Sequence, residues 1–194
     1  MSKEFYNLNA QSFFDSTVNV DMENIYNHFL PHVAPGSLIV DAGCGSGRDS
    51  LYFKQNNYVV DAFDASEELA KKASELIQQQ VNVSTFDTYS NSTKASGIWC
   101  CASLLHVPRS SLLSSIKNLE KHLLTGGVMY VSFKFGDSER TQNGRAFTDM
   151  NETSLQHLLQ KIPALEIIDL WITGDNRPGR ENEKWLNAVL KKTA

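Results

Sequence analysis

The sequence has little cysteine and no cysteine motif. Cys44, Cys100 and Cys101 are the 3 cysteines in 194 residues, and no pair is spaced Cys-x-x-Cys. Adjacent Cys100 and Cys101 would point to opposite faces of a strand. A disulfide framework is excluded, and three reduced thiols in a cytoplasmic protein are expected. No apolar run approaches the ~18 residues that span a bilayer, and Met1-Ser-Lys-Glu-Phe-Tyr6 lacks the apolar core of a secretory leader, so no membrane partner is expected. Basic residues are not in excess either. There are 18 Lys and Arg against 22 Asp and Glu, a net charge of −4, which argues against a dedicated polyanion binder and against nucleic acid as a partner. Metal-ligand spacing is missing too: Pro31 breaks the helix between His28 and His32, and His122 and His157 have no acid or cysteine at ligand spacing. No metal is expected.

Repeats, low-complexity tracts and linkers are likewise lacking. At roughly 150 residues per domain, residues 1–194 read as a single domain. Residues 1–20, polar but studded with Phe5, Tyr6, Phe13 and Phe14, show neither a helix nor a strand pattern. They are expected to form a lid or N-terminal extension.

What is present is a core and an alternation. Apolar residues make up 41% of the chain, with 10 Phe, 6 Tyr and 3 Trp, enough to exclude a disordered chain. A helix over Met22–Phe29 is stopped by Pro31. Strand patterns at Ser37–Asp41, Tyr58–Phe63, Val81–Thr85, Gly97–Ala102 and Gly127–Phe133 are separated by helical ones. These lie at Gly47–Gln55, from Ser66 through Leu69, Ala73 and Leu76, and from Leu112 through Leu123 to a stop at Gly126-Gly127. A further helix carries Leu155, Leu158, Leu159 and Ile162. Two strand-like runs, Leu165–Ile172 and Trp185–Leu190, end the chain with no helix between them. Strands separated by helices imply a parallel sheet covered on both faces. The last two imply an antiparallel pair. The expected fold is α/β, a doubly wound, mostly parallel seven-stranded sheet with a C-terminal antiparallel hairpin, with its ligand at the carboxyl ends of the strands.

Asp41-Ala-Gly43-Cys-Gly45-Ser-Gly47-Arg48 follows the first strand and leads into a helix. Asp64, 23 residues after Asp41 at the end of the second strand, can accept hydrogen bonds from both hydroxyls of a ribose. Together they describe an adenosine-type cofactor site. A dinucleotide loop needs Gly-x-Gly-x-x-Gly, and starting from Gly43 its third glycine would fall on Arg48. An acid at the base of the loop repels a pyrophosphate but suits an ammonium group, such as the methionyl amine of S-adenosylmethionine.

These segments, with Val59–Ser66, Cys100-Cys-Ala-Ser-Leu-Leu-His-Val-Pro108 and Leu124–Ser132, resemble the class I S-adenosylmethionine-dependent methyltransferases over nearly the whole chain. Gly-Arg-Asp-Ser50 and the small size are similar to the tellurite-resistance type. The resemblance implies S-adenosylmethionine as cofactor and S-adenosylhomocysteine as product. It implies that Asp41, Gly43 and Gly45 bind the methionine end with Arg48 as carboxylate partner. Asp64 would hold the ribose, with Ala65, Phe86 and Asp87 around the adenine. Cys101 and Ala102 would place backbone beside the amine, and Leu105 would wall the site. One departure stands before the fourth strand, where Ala95-Ser96 replaces the Phe-Asp often found there.

Methyl transfer from a sulfonium needs positioning and exclusion of water, and a base only when the acceptor loses a proton. His106, after the fourth strand, is the candidate base. Arg145, Arg177 and Arg180, with Arg140 nearby, can grip an oxyanion bidentately, and are the candidate acceptor residues. Trp171 and Trp185 read as packing residues of the terminal hairpin. The expected function is methyl transfer to a small-molecule or oxyanion acceptor by a monomer or homodimer. The alternatives are an RNA or protein methyltransferase and a non-catalytic S-adenosylmethionine-binding protein. A nicotinamide oxidoreductase is disfavoured by the loop spacing.

Overall fold

The computed structural model describes residues 2–175, 177, 179, 180 and 182–194. Its strands are β1 (Leu38–Ala42), β2 (Val59–Asp64), β3 (Asn82–Val83), β4 (Ala95–Cys100), β5 (Leu123–Lys134), β6 (Glu139–Gln142), β7 (Arg145–Thr148), β8 (Leu165–Gly174) and β9 (Lys184–Lys192). The helices are α1 (Ser2–Leu8), α2 (Ala10–Thr17), α3 (Glu23–Phe29), α4 (Arg48–Gln55), α5 (Glu67–Ile77), α6 (Arg109–Lys121) and α7 (Glu152–Leu159). Seven strands form one sheet in the order β3-β2-β1-β4-β5-β9-β8, and β6 and β7 form a separate hairpin. The first five run parallel and β9 lies antiparallel between β5 and β8. The seven-stranded, doubly wound sheet with its terminal hairpin is thus the architecture expected from the alternation of patterns.

Each face of the sheet carries its own core. Ile25, Tyr26 and Phe29 of α3, Phe53 of α4 and Ala70, Ala73 and Ile77 of α5 pack on one side around Trp99 and Tyr130. Leu112, Ile116 and Leu119 of α6 and Leu155 and Leu159 of α7 pack on the other. These spacings of three and four residues set one apolar stripe per helix against the sheet. Helix α5 starts where it does because the Ser66 side chain accepts from Leu69 N and Glu67 and Glu68 sit in its first turn. Successive strands extend in one direction from β1 to β3 and in the other through β4 and β5. The crevice between β1 and β4 is therefore the switch point, where ligands bind in such sheets.

Four expectations shift. Leu123 does not continue a helix to Gly126-Gly127; it is fully buried and opens β5, opposite Ala95. The register then slips, so that Gly97 faces Val128, and the residues from Leu124 to Gly127 form the bulge that absorbs the slip. The third strand is only two residues long at the sheet's edge. The N-terminal segment is two helices, held by side-chain contacts far along the chain. The hairpin β6–β7 was not anticipated. Asn143 and Gly144, both at positive φ, make its two-residue turn.

Candidate active site

At the carboxyl ends of β1, β2, β4 and β5 lies a cavity of about 1080 Å³. Helices α1 and α2 close one side, the β6–β7 hairpin another, and the β8–β9 turn a third; Pro178 of that turn lies outside the described residues. Of the sequence-predicted residues, Gly43, Gly45, Arg48, Asp64, Ala65, Phe86, Asp87, Cys101, Ala102, Leu105, His106, Arg145, Arg177 and Arg180 all reach its wall. Asp41 is not among the lining residues. Its carboxylate is buried behind the glycine loop and accepts from Ser50 Oγ at 2.6 Å.

The loop is pinned before it meets any ligand. Gly43 N and Cys44 N both donate to Phe63 O, at 2.9 and 3.0 Å, tying it to the end of β2. Gly43 has φ +78°, and a Cβ there would stand 2.6 Å from Ser103 Cβ. Ser103 in turn donates to Ala42 O at 2.7 Å, so it cannot step aside freely. Gly43→Ala should therefore cost about 2 kcal/mol, combining left-handed strain of ~1–2 kcal/mol with the contact. A thermal melt should read this as a fall in Tm of about 4–8 °C for a chain of this size. Gly45 lies under Phe13 of α2, whose ring would stand 3.1 Å from an added Cβ. The N-terminal helices thus rest directly on the loop.

Asp64 lines the same cavity beside the loop. Its carboxylate accepts from Gly45 N at 2.9 Å and Ser66 N at 2.8 Å. Burial pushes its pKa up, against the backbone N–H groups that favour the ionised form. Phe86 and Asp87 follow the short β3; Asp87 accepts from Ser115 Oγ at 3.0 Å. Ala102 holds a positive φ of 49°, with its N–H donated to Ser132 Oγ at 2.8 Å. A non-glycine residue in that conformation at a cavity wall is strain of the kind found at ligand sites.

Arg48 is already engaged. Its Nε and Nη2 grip Asp49 at 2.6 and 2.9 Å. Asp49 also accepts from Tyr26 Oη at 2.6 Å and Trp99 Nε1 at 2.8 Å. Sequence reasoning missed this four-residue network, because Asp49 was noticed only as part of a resemblance.

Around the β6–β7 hairpin and the β8–β9 turn, the arginines differ in their partners. Arg140 pairs with Asp149, Arg177 with Asp175 at 2.6 Å, and Arg180 with Glu183 at 3.4 Å. Arg145 makes no ion pair with a carboxylate among the described residues. Its guanidinium lies over the rings of Phe5 and Phe147, 4.7 and 5.1 Å from their centroids, and its Nε is buried without a hydrogen-bond partner. Lys134, under an ion-pair network with Asp175 and Glu183, lies 4.0 Å over the Trp185 ring. Trp185 lines the cavity, while Trp171 packs, stacked on His28 at 3.9 Å.

His106 sits between two fixed partners. Nδ1 lies 2.7 Å from Ala146 O, and Nε2 lies 2.7 Å from Tyr6 Oη. A carbonyl can only accept, so Nδ1 carries the proton and Nε2 accepts from the Tyr6 hydroxyl. Burial, with Arg145 adding to it and the Ala146 carbonyl opposing, pushes the imidazole pKa down to about 4. The ring is neutral at pH 7. In the sequence Tyr6 is one aromatic of a segment without a clear pattern. Its helical spacing with Asn9 and Phe13 was the available signal. For Arg140, Arg145 and Phe147, that signal was Asn143-Gly144 between two strand-like tetrapeptides.

A family profile described as a methyltransferase domain matches residues 14–171. No curated protein matches the chain by sequence. Among solved structures, the chain is similar to Burkholderia thailandensis 1,6-didemethyltoxoflavin-N1-methyltransferase, solved with 1,6-didemethyltoxoflavin and S-adenosylhomocysteine. The TM-score is 0.77 at 18% identity, covering 98% of this chain and 85% of that one. It is also similar to the [4+2]-cyclase SpnF (TM-score 0.75, 12% identity, 98% and 94% covered) and to TehB from Haemophilus influenzae (0.71, 18%, 98% and 66%). At these identities the structural matches speak for the fold, and that fold supports more than one chemistry. No helix among the described residues is long and apolar enough to cross a membrane.

Proposed function

We propose, from the premise that this chain belongs to the methyltransferase-domain family, that it transfers a methyl group from S-adenosylmethionine to a small anionic acceptor. The cofactor supplies an activated methyl on a sulfonium. The residues present suit it. Asp64, at the cavity wall, offers a carboxylate whose two oxygens each accept one backbone N–H and keep a further lone pair. The loop of Gly43 and Gly45 keeps backbone, rather than side chains, at the wall. Ala65, Phe86 and Leu105 supply apolar surface, while the charge of Arg48 is already matched by Asp49, so Arg48 would offer the methionine end only the donors Asp49 leaves over. Asp41 would act on that end only through Ser50 of α4, the helix the loop leads into.

The observation that carries the acceptor reading is Arg145. Three of the four arginines around the acceptor half are matched to carboxylates of the chain, and the fourth lies against two phenyl rings and Tyr6, with its buried Nε donor unspent. A buried donor without a partner costs about 1–3 kcal/mol, and an oxyanion on the acceptor would relieve that cost. Arg177 and Arg180, spent on Asp175 and Glu183, shape the wall instead. Small-molecule acceptors also agree with the 1,6-didemethyltoxoflavin bound by the Burkholderia enzyme.

Arg145→Ala should lower kcat/KM for the acceptor about ten- to a hundredfold, ~1.4–2.7 kcal/mol, with cofactor affinity unchanged by calorimetry. Arg145→Lys should lose nearly as much, because lysine keeps the charge but not the planar fork. An RNA acceptor would behave differently. Affinity would fall steeply with salt through counterion release, and Arg145→Lys would be nearly silent.

A further inference from the structure

We infer that Tyr6 is the acid–base residue of the acceptor site, passing the acceptor's proton to His106, and that the acceptor therefore attacks through a hydroxyl, thiol or N–H. The inference rests on the methyl-transfer reading above.

Tyr6 and His106 are 100 positions apart in sequence and meet at 2.7 Å, rings edge to face at 5.3 Å, on the wall of the acceptor half. Closing the N-terminal helices over the cavity does not require this pair. Ser2 Oγ accepts from Ala146 N at 3.0 Å, Lys3 pairs with Glu67 at 3.0 Å, and Asn7 accepts from Ser66 Oγ at 2.6 Å. Phe5 against Arg145, Phe13 against Gly45 and Phe14 against Lys72 already hold the segment without a hydroxyl. A phenol aimed at the lone pair of a buried imidazole, whose other nitrogen is committed to a carbonyl, is instead a proton path with a fixed direction. The tautomer leaves Nε2 able only to accept.

The step balances within the site. The acceptor's X–H bond breaks and its proton passes to Tyr6 Oη, while the Tyr6 proton passes to His106 Nε2. The new X–C bond forms as the S–CH3 bond breaks. The positive charge lost at sulfur reappears on the imidazolium, so the cavity's total charge is unchanged. The products are the methylated acceptor, a neutral thioether and a histidine that returns its proton to water when the site opens.

The charged groups facing the pair are Arg145 on β7, Asp64 at the end of β2 and Arg177 in the β8–β9 turn. Arg145 opposes a charged imidazole and favours a phenolate. An acceptor anion paired with Arg145 removes its opposition to His106 protonation. Binding of the acceptor's charge thereby prepares the base.

The probes are salicylate, anthranilate and thiosalicylate, each a small carboxylate beside a protonated nucleophile, and 2-(methylthio)benzoate, which has no proton to lose. With labelled S-adenosylmethionine, at least one of the first three should be methylated and the thioether should not. Tyr6→Phe and His106→Asn should each lower kcat about tenfold, and the double variant should lose no more than the worse single one, since the two act as one unit. Affinity for S-adenosylhomocysteine by calorimetry should not change. Imidazole nitrogen NMR of the wild type should show the Nδ1–H tautomer, unprotonated down to about pH 5; Nε2–H would overturn the inference. It is also overturned by turnover of the thioether alone, by no turnover of the proton-bearing probes while S-adenosylhomocysteine binds, or by a Tyr6→Phe effect confined to KM, the mark of a latch. Failure of the wild type to bind S-adenosylhomocysteine would instead sink the methyl-transfer reading itself.

Discussion

Asp49→Ala is expected to cost the fold about 3–5 kcal/mol, the penalty for leaving a buried charge without its partner. The Arg48 guanidinium would lose both of its short bonds, and Tyr26 Oη and Trp99 Nε1 would lose their acceptor inside the core. Against a total stability of roughly 5–15 kcal/mol for a domain, a urea titration should show a large fall in midpoint with little change in slope. Asp49→Asn separates the contributions, because the amide keeps one acceptor but not the charge, and it should fall between wild type and Asp49→Ala. The pH dependence has a definite sign. Burial pushes the Asp49 pKa up, but Arg48 and the hydrogen bonds from Tyr26 and Trp99 outweigh it and hold the pKa below the usual carboxylate range. Its contribution is present above the unfolded carboxylate pKa of ~4 and is lost as pH falls through the lower folded value. Asp41 runs the other way. Burial and the nearby Asp49 raise its pKa, so it costs stability as pH rises from about 4 through its folded value. Asp41→Asn, which keeps an acceptor for Ser50, should stabilise the cofactor-free protein at pH 8 and leave it unchanged near pH 4.

The parallel sheet was legible because each buried strand ends in a turn signal and each helix carries one apolar stripe. Leu38–Ala42 running into glycines, and Ser66 capping Glu67 and Glu68, are local facts that tertiary structure had no reason to override. That Gly43, Gly45 and Asp64 meet at one cavity wall was legible for the same reason, since they sit at fixed offsets from strand ends. The failures share a different cause. The N-terminal helices α1 and α2 bury few of their own residues and are held by contacts to Glu67, Ser66, His106 and Ala146. No local pattern encodes those partners. Leu123 has helical spacing from Leu119 but is claimed by its pairing with Ala95. Asp41 and Asp49 are both acids near the loop. Only the packing shows that one turns away from the cavity toward Ser50 while the other holds Arg48. The cavity wall around Arg145 is built from the β6–β7 hairpin, the terminal turn and α1, three segments distant in sequence, so its residues could be named singly but not assembled.

Asp64→Ala is expected to raise the dissociation constant for S-adenosylmethionine and S-adenosylhomocysteine about a hundredfold by calorimetry. Hydrogen bonds to a charged group contribute ~1.5–3 kcal/mol each, and the two ribose hydroxyls assigned to Asp64 account for at least the lower sum. The substitution also frees Gly45 N and Ser66 N, which Asp64 holds at 2.9 and 2.8 Å, so a fall in affinity alone does not prove ribose contact. A cofactor analogue lacking both ribose hydroxyls separates the two. If Asp64 binds the ribose, the wild type should lose about a hundredfold on the analogue, and Asp64→Ala should bind cofactor and analogue alike. If Asp64 only braces the loop, the two losses should add, because sites without a shared interaction are independent. Additive losses would remove the ribose assignment while leaving the brace. Measurable binding of NAD would go further and remove the cofactor assignment itself, since Arg48 stands where a dinucleotide loop requires its third glycine.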